Sequence, residues 1–168
     1  MHQPTENTDV DMERIATQYG TQMLRMCFMY LKDMQLAEDA VQDTMLKIYR
    51  NYTQFEGNSG EKTWVMRIAI NVCKDYLRSA WNRRVNVVEE LNDIPDSGNS
   101  THEDDTLIKE IMCLKPKYKE VILLFYYEDM QISEIAKVLN APASTVAVRL
   151  KRGREILKKR LEGWYYDE

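Results

Sequence analysis

Apolar side chains recur at three- and four-residue spacing along most of the chain, which is the period of one face of an α-helix. The pattern occurs in residues 11–31, again in residues 36–52, and a third time in residues 62–81. The apolar positions are Ile15, Tyr19, Met23, Met26 and Tyr30, then Ala37, Val41, Met45, Ile48 and Tyr52, then Val65, Ile68 or Ala69, Val72 and Tyr76. Alternating β-branched runs are scarce, so the sequence predicts an all-α fold.

Two interruptions in this pattern divide the chain. Residues 55–60 contain two glycines and predict a loop between the second and third helices. Residues 85–105 lose the periodicity and predict a flexible linker, because they cannot bury enough apolar surface to fold alone. The sequence therefore predicts two small helical domains, residues 11–84 and residues 106–162.

The last part of the second domain has the pattern of a helix-turn-helix, QISEIAKVLNAPASTVAVRLKRGREILKKR. Ile132, Ile135, Ala136 and Leu139 mark one face of a short helix, and residues 140–143 break it. The second helix has an apolar stripe made of Val146, Leu150, Gly153 and Leu157. Its opposite face carries Ser144, Val148, Lys151, Arg152 and Lys159. This arrangement makes nucleic acid the first partner to consider.

An α-helix fits the major groove of DNA, where Lys and Arg bond guanine edges and apolar groups meet thymine methyls. The residues placed to reach bases are Ser144, Val148, Lys151 and Arg152, and Thr145, Arg149 and Arg154 flank them at positions suited to phosphates. The alternative is that a basic terminal helix is only a solvated face. The preceding helix and turn favour the DNA interpretation.

The distribution of charge is more informative than the net charge of −4. Residues 149–160 carry seven basic residues and one acid, and residues 62–84 carry six basic residues and one acid. Between them, residues 85–105 carry seven acids and no Lys or Arg. Two basic segments separated by an acidic one predict two nucleic-acid surfaces rather than one.

A second motif lies in the helix predicted for residues 36–52. Asp39, Gln42 and Asp43 are spaced i, i+3 and i+4, so they share a face opposite Val41 and Met45. An acidic, amide-bearing helix face can dock on a basic protein surface. A solvated helix face is the common alternative.

A third motif lies in the helix predicted for residues 62–81. Arg67, Asn71, Lys74 and Arg78 project three bases and one amide from one part of its surface. Phe55, Trp64 and Tyr76 lie nearby and either stack on unpaired bases or belong to the core. The glycine-bearing loop before this helix could close around an extruded base.

Three runs, DAVQDTMLKIY, KTWVMRIAINVCKDYLR and SEIAKVLNAPASTVAVRLKRGREIL, occur in this order. Together they resemble an extracytoplasmic-function sigma factor of bacterial RNA polymerase, over residues 11–162. The resemblance implies that residues 11–84 are region two, which binds the polymerase β′ clamp and opens the −10 element. Residues 106–162 would be region four, which binds the β flap and reads the −35 element, and residues 85–105 the acidic linker.

The resemblance also implies the residues of each surface. The polymerase-binding set is Asp39, Gln42, Asp43, Leu46 and Tyr49. The −10 set is Asn58, Lys62, Arg67, Asn71, Lys74 and Arg78, with residues 55–62 holding a flipped base. The −35 set is Ser144, Thr145, Val148, Arg149, Lys151 and Arg152. Ala147 and Gln131 depart from the family pattern, since a basic residue is common at the first position and a Ser or Thr cap at the second.

The protein is expected to be cytoplasmic, because its three cysteines lie far apart, with no spacing for a metal or a disulfide framework, and no apolar run is long enough to span a membrane. The resemblance further implies a non-enzymatic, stress-responsive factor with no catalytic residues or cofactor. Its expected partners are core RNA polymerase, promoter DNA and an anti-sigma factor. Two alternatives remain open: a helix-turn-helix regulator that acts without polymerase, and an enzyme acting on nucleic acid, although no catalytic or phosphate-binding motif supports the latter.

Overall fold

The computed structural model describes residues 7–55, 57–84 and 102–166, and the regular elements within these ranges are all helical. The chain divides into two compact units at the Ala80–Trp81 bond. The first contains α1 (Asn7–Leu31), α2 (Met34–Asn51), a 3₁₀ turn (Tyr52–Gln54) and most of α3 (Glu61–Arg84). The second contains α4 (His102–Met112), α5 (Pro116–Ile122), a π-helical turn (Leu123–Tyr127), α6 (Ile132–Leu139) and α7 (Ala143–Tyr166). The prediction of an all-α fold is confirmed.

In the first unit, α1 and α2 pack against each other as a helical hairpin. The chain turns between them at Lys32, which has a φ of 62°. Asp33 then caps α2, because its carboxylate accepts a hydrogen bond of 2.9 Å from the Leu36 backbone N–H. The predicted core of α1 is correct, since Ile15, Tyr19, Met23, Met26 and Tyr30 are all buried.

The predicted core face of α2 is partly wrong. Ala37 and Ile48 are buried as expected, but Val41 and Met45 are only half-buried, and Ala40 and Thr44 are buried in their place. Thr44 tolerates burial because its hydroxyl donates a hydrogen bond of 2.7 Å to the Ala40 carbonyl. Ala40 and Thr44 have small side chains, which let α1 approach this face of α2 closely. Apolar periodicity does not predict that small residues are buried here in place of larger apolar ones.

In α3 the structure resolves the choice between Ile68 and Ala69. Ala69 is buried and Ile68 is half-buried. The core side chains of α3 are Val65, Met66, Ala69, Ile70, Val72 and Cys73. Tyr76, predicted on the same face, is half-buried.

The first described helix of the second unit starts within the predicted linker. Because α4 begins at His102, residues 102–105 are helical. The remainder of the predicted acidic linker, residues 85–101, lies outside the described residues. Pro116 opens α5 at a position where its missing N–H costs no helical hydrogen bond.

The helix-turn-helix is formed by α6 and α7, which pack against each other. Asn140 ends α6 in the left-handed conformation, with a φ of 50°. The stripe predicted for α7 is buried, comprising Val146, Leu150, Gly153 and Leu157. At the other end of α6, the Glu134 carboxylate accepts a hydrogen bond of 2.7 Å from the Gln131 backbone N–H. Glu134 therefore supplies a cap at the position where Gln131 was expected to be weak.

Candidate nucleic-acid interface

The outer face of α7 is polar and accessible. The exposed residues on this face are Ser144, Val148, Lys151 and Arg152. Lys159, about two helical turns after Arg152, is exposed as well. Val148 is an apolar side chain that is half exposed, at 50%. The buried stripe on the opposite side holds the helix on the domain, so this face is free to enter a groove. The predicted orientation of the helix is confirmed, and Ala147 also lies on the exposed side.

The flank of α7 is held by a buried carboxylate that the sequence does not predict. Arg149 Nη1 lies 3.6 Å from Oε1 of Glu120, which is on α5 and only 4% exposed. Thr145 and Arg149 are both half-buried. Arg149 therefore links α7 to α5 as well as lying beside the exposed face. Nothing in the spacing of the sequence places Glu120 next to it.

A cleft of about 330 Å³ lies between α5 and the start of α7. Its lining includes five of the six predicted −35 contacts, Ser144, Thr145, Val148, Arg149 and Arg152. It also includes Lys117 and Tyr118, which were not among the predicted contacts. Desolvation raises the pKa of Tyr118, but hydrogen bonding with Arg152 and the charge of Lys117 outweigh it, so the net pKa is lowered.

The Arg154 guanidinium packs on an aromatic pair rather than projecting into solvent alone. It lies 5.2 Å from the ring centroid of Phe125 and 5.4 Å from that of Tyr126. Its Nε also donates a hydrogen bond to the Tyr126 hydroxyl. These contacts join α7 to the π-helical turn, and Tyr126 remains 51% exposed.

The second basic surface lies on the first unit. Asn71 and Arg78 are exposed on α3, Asn58 is exposed in the preceding loop, and Lys62, Arg67 and Lys74 are half-buried. Asn71, Lys74 and Arg78 follow one another along a single face, as the helical spacing predicts. Asp75 lies 3.7 Å from both Arg78 and Lys47, so an acid is interspersed among these bases.

The aromatic residues near this surface form two different arrangements. Phe55 and Trp64 have ring centroids 5.1 Å apart, and Tyr52 lies 6.0 Å from Trp64 in an edge-on orientation. All three are half-buried, so they are neither core residues nor fully exposed platforms. Tyr76 is separate: its hydroxyl donates a hydrogen bond of 2.5 Å to Oδ2 of Asp43 on α2. Burial and this hydrogen bond raise the pKa of Tyr76.

The candidate protein-binding face is on α2. Gln42, Asp43, Leu46 and Tyr49 are exposed, and Asp39 is half-buried. Leu46 and Tyr49 are large apolar side chains with 52% and 51% of their surface accessible. The acidic face predicted from the sequence therefore adjoins exposed apolar groups. Such a combination is typical of a protein-docking surface.

A network of hydrogen bonds surrounds Glu61 where the 57–60 loop joins α3. Arg14 from α1 forms two bonds with the carboxylate, of 2.7 and 2.6 Å. Tyr19 and Tyr52 each donate a hydroxyl hydrogen bond of 3.0 Å to it. Hydrogen bonding from Arg14 is the main reason that the pKa of Glu61 is lowered from its ordinary value. The sequence does not predict this network: Tyr19 was predicted only as a core residue, and Arg14 and Glu61 belong to no predicted site.

Both units match known regions of one protein family. Residues 15–83 match Sigma-70 region 2, and residues 105–157 match Sigma-70 region 4. The ECF RNA polymerase sigma factor SigW of Bacillus subtilis is 30% identical over 158 residues, covering 85% of this chain and 84% of SigW. The ECF RNA polymerase sigma-E factor of Haemophilus influenzae is 29% identical over 139 residues, covering 74% of each chain.

A solved structure has the same fold. The sigma factor RpoE of Bartonella quintana, crystallised with the anti-sigma factor NepR, aligns over 90% of this chain and 97% of its own, with a TM-score of 0.78 and 21% identity. The chain belongs to the extracytoplasmic-function sigma factors, which are non-enzymatic initiation factors for promoter-specific transcription. The resemblance found in the sequence is confirmed, and this assignment replaces both alternatives left open there.

Two further observations concern the described part of the chain. None of its helices combines the length and hydropathy needed to span a membrane. Within the same residues, no three His, Cys, Asp or Glu side chains are grouped so that they could hold a metal ion.

Proposed function

We propose that the two units of this sigma factor divide promoter recognition between them. The observation that carries the proposal is the pair of accessible polar helix faces, one on α3 and one on α7, in units that match regions two and four. In this proposal α3 and the loop before it capture the −10 strand, and α7 reads the −35 element. The linker between them is the acidic segment of residues 85–105, most of which lies outside the described residues.

For the −35 element, the exposed residues of α7 take two roles. Lys151 and Arg152 bond base edges, with Val148 available for a thymine methyl and Ser144 for a hydrogen bond. Thr145 and Arg149, which lie on the flank, contact phosphates. The salt bridge with Glu120 fixes Arg149 before DNA arrives, which lowers the entropy lost on binding.

For the −10 element, an unstacked base is held by the segment of residues 55–62, which ends in the first turn of α3, while the α3 face holds the strand. Asn58 and Lys62 lie at the loop, and the remaining contacts are Arg67, Asn71, Lys74 and Arg78. Single-stranded DNA is bound through its phosphates and by stacking on aromatic rings. The half-buried pair Phe55 and Trp64 offers such a ring surface at the end of the loop.

For the polymerase, the α2 face binds the β′ clamp through Asp39, Gln42, Asp43, Leu46 and Tyr49. The exposed apolar side chains Leu46 and Tyr49 supply area, and the acids and the amide supply complementarity to a basic surface. The second unit binds the β flap. We place the protein in the cytoplasm, where both core polymerase and promoter DNA are found.

We also propose that an anti-sigma factor restrains this chain. The support is the Bartonella quintana structure, in which a sigma factor of the same fold is bound to its anti-sigma factor. An anti-sigma factor would compete for surfaces that the polymerase or the promoter needs. A stress signal would activate this chain by releasing the anti-sigma factor.

The division of labour is tested by footprinting holoenzyme on promoters with altered −10 or −35 sequences. We expect Arg152→Ala to weaken discrimination at the −35 position only, and Asn71→Ala to weaken discrimination at the −10 position only. If either variant alters both positions equally, the assignment of one element to each unit is wrong.

A further inference from the structure

Glu61 has no room in its hydrogen-bond network for a DNA contact. Arg14 occupies both carboxylate oxygens, and Tyr19 and Tyr52 donate to one oxygen each, all at 2.6–3.0 Å. Its side chain is 20% exposed, compared with 42% for Arg14. The carboxylate is therefore saturated and partly buried, and Arg14 neutralises its charge.

The network closes the loop at both ends. Tyr52 lies in the 3₁₀ turn immediately before the loop, and Glu61 is the first residue of α3 immediately after it. Their hydrogen bond of 3.0 Å joins the two ends of the loop directly. Arg14 also donates a bond of 3.2 Å to the Tyr52 hydroxyl, so α1 contacts both ends. These charge-assisted bonds fix the width of the loop at its base.

The position of Glu61 adds a second effect. A carboxylate in the first turn of a helix interacts favourably with the positive end of the helix dipole. The Trp64 backbone N–H bonds the Gly60 carbonyl at 3.1 Å, which continues the helical pattern back to the end of the loop. The start of α3 is thus held both by the side-chain network of Glu61 and by the backbone hydrogen bond between Trp64 and Gly60.

We propose that Glu61 is a positioning residue for capture of the −10 strand. It acts through Arg14 and Tyr52 to hold the 57–60 loop in the shape that accepts an unstacked base, and it does not touch the DNA. This inference rests on the proposed function of the loop. The inference goes beyond the proposed function, because it assigns the shape of the loop to Glu61, which is not one of the predicted DNA contacts.

The experiment measures binding of full-length protein, assembled with core polymerase, to two probes. One probe is a fork-junction DNA with a single-stranded −10 element and 2-aminopurine at the extruded position. The other is a duplex that contains the −35 element alone. The variants are Arg14→Ala, Glu61→Ala, the double variant and the conservative Glu61→Gln, with Glu110→Gln as the matched control. Glu110 pairs with Arg160 at 3.2 Å in the second unit.

We expect Glu61→Ala to weaken fork-junction binding roughly ten-fold, a loss that corresponds to one good polar interaction. The 2-aminopurine signal should fall as well. Affinity for the −35 duplex and for core polymerase should stay unchanged. The losses for Arg14→Ala and Glu61→Ala should be non-additive, because the two residues act as one unit. Glu61→Gln should recover part of the binding, since its amide oxygen still accepts a hydrogen bond.

Two results would overturn the inference. One is wild-type fork-junction affinity in Glu61→Ala, and the other is an equal loss on both probes, which would mean that Glu61 only stabilises the fold. Failure of the proposed function is distinguishable, because the wild-type protein itself would then show no dependence on the −10 sequence. Thermal unfolding of each variant sets a temperature at which all of them remain folded.

Discussion

The Tyr76 hydroxyl donates a hydrogen bond of 2.5 Å to the Asp43 carboxylate, joining α3, which carries the proposed −10 surface, to α2, which carries the proposed polymerase surface. Both residues line a cleft of about 160 Å³ between these helices. This hydrogen bond links the two surfaces of the first unit, as does the ion pair of 3.7 Å between Lys47 on α2 and Asp75 on α3. An Asp43 side chain held by Tyr76 is presented to a partner in a fixed direction.

Tyr76→Phe should lower the free energy of unfolding of the protein by about 0.5–1.5 kcal/mol, the usual net contribution of one hydrogen bond. Urea denaturation followed by circular dichroism measures this difference. Tyr49→Phe is the control, because Tyr49 is an exposed tyrosine on α2. An effect no larger than that of the control would mean that the Tyr76 hydroxyl contributes nothing to stability.

The acid stability of the first unit should depend on Glu61. Its pKa in the folded protein is lowered from the ordinary value of 4.5, mainly by hydrogen bonding from Arg14. The contribution of the charged carboxylate is therefore fully present above that ordinary value and is lost as the pH falls through the folded pKa. The difference in unfolding free energy between wild type and Glu61→Gln should shrink on going from pH 7 to pH 3. A difference that is constant or grows in acid would contradict this.

Two glycines of α7 should respond oppositely to substitution by alanine. A Cβ at Gly153 would lie 3.1 Å from Cγ1 and 3.3 Å from Cδ1 of Ile122, whereas a Cβ at Gly163 meets nothing within 4 Å. We expect Gly163→Ala to stabilise the helix by up to about 1 kcal/mol. Gly153→Ala should lose that gain to overpacking, which typically costs about 1–3 kcal/mol. Thermal melting compares the two variants. Equal melting temperatures would show that Ile122 on α5 can shift to accommodate the new methyl group without a loss of stability.

Different residues of α7 should contribute to DNA binding and to the anchoring of the helix, so mutations should affect the two properties separately. Lys151→Ala and Arg152→Ala should each weaken −35 binding by about 1–3 kcal/mol, or roughly 5- to 150-fold. Lys151→Ala should leave stability unchanged, whereas Arg152→Ala also removes the hydrogen bond with Tyr118. Electrophoretic mobility shifts with holoenzyme on −35 variants measure the loss. Lys158→Ala is the control, because Lys158 is exposed and pairs with Glu162 within the same helix. Losses equal to that of Lys158→Ala would mean that Lys151 and Arg152 contribute only charge.

Arg149→Ala should behave differently from these variants. It removes a charged partner of the buried Glu120 carboxylate, so it should destabilise the second unit by about 1–3 kcal/mol in addition to weakening DNA binding. Chemical denaturation of Arg149→Ala beside Lys151→Ala makes the comparison. If the two are equally stable, the Arg149–Glu120 pair does not anchor α7.

The sequence predicts those parts of the structure that follow from helical periodicity. The buried stripe of α7 and its exposed face are examples, because Val146, Leu150 and Leu157 recur at helical spacing. Part of the core face of α2 was predicted wrongly, because Thr44 is buried through a hydrogen bond from its hydroxyl to the Ala40 carbonyl one turn earlier. Apolar spacing does not reveal that a threonine can satisfy its hydroxyl within its own helix in this way.

Contacts between distant segments are also beyond periodicity. Arg14 and Glu61 are far apart in sequence, and both appear as ordinary surface charges until α1 and α3 come together. Glu120 and Arg149 present the same difficulty in the second unit. These ion pairs depend on tertiary packing, so a single sequence predicts the residues that face outward more readily than those that hold the surface in place.

The most direct test of the proposed promoter recognition is run-off transcription with core polymerase, with and without this protein, on a library of genomic fragments. We predict initiation from a defined set of promoters only when the protein is present, with loss of that initiation when either the −10 or the −35 sequence is scrambled. Absence of promoter-specific initiation from any fragment, or initiation indifferent to both elements, would contradict the account.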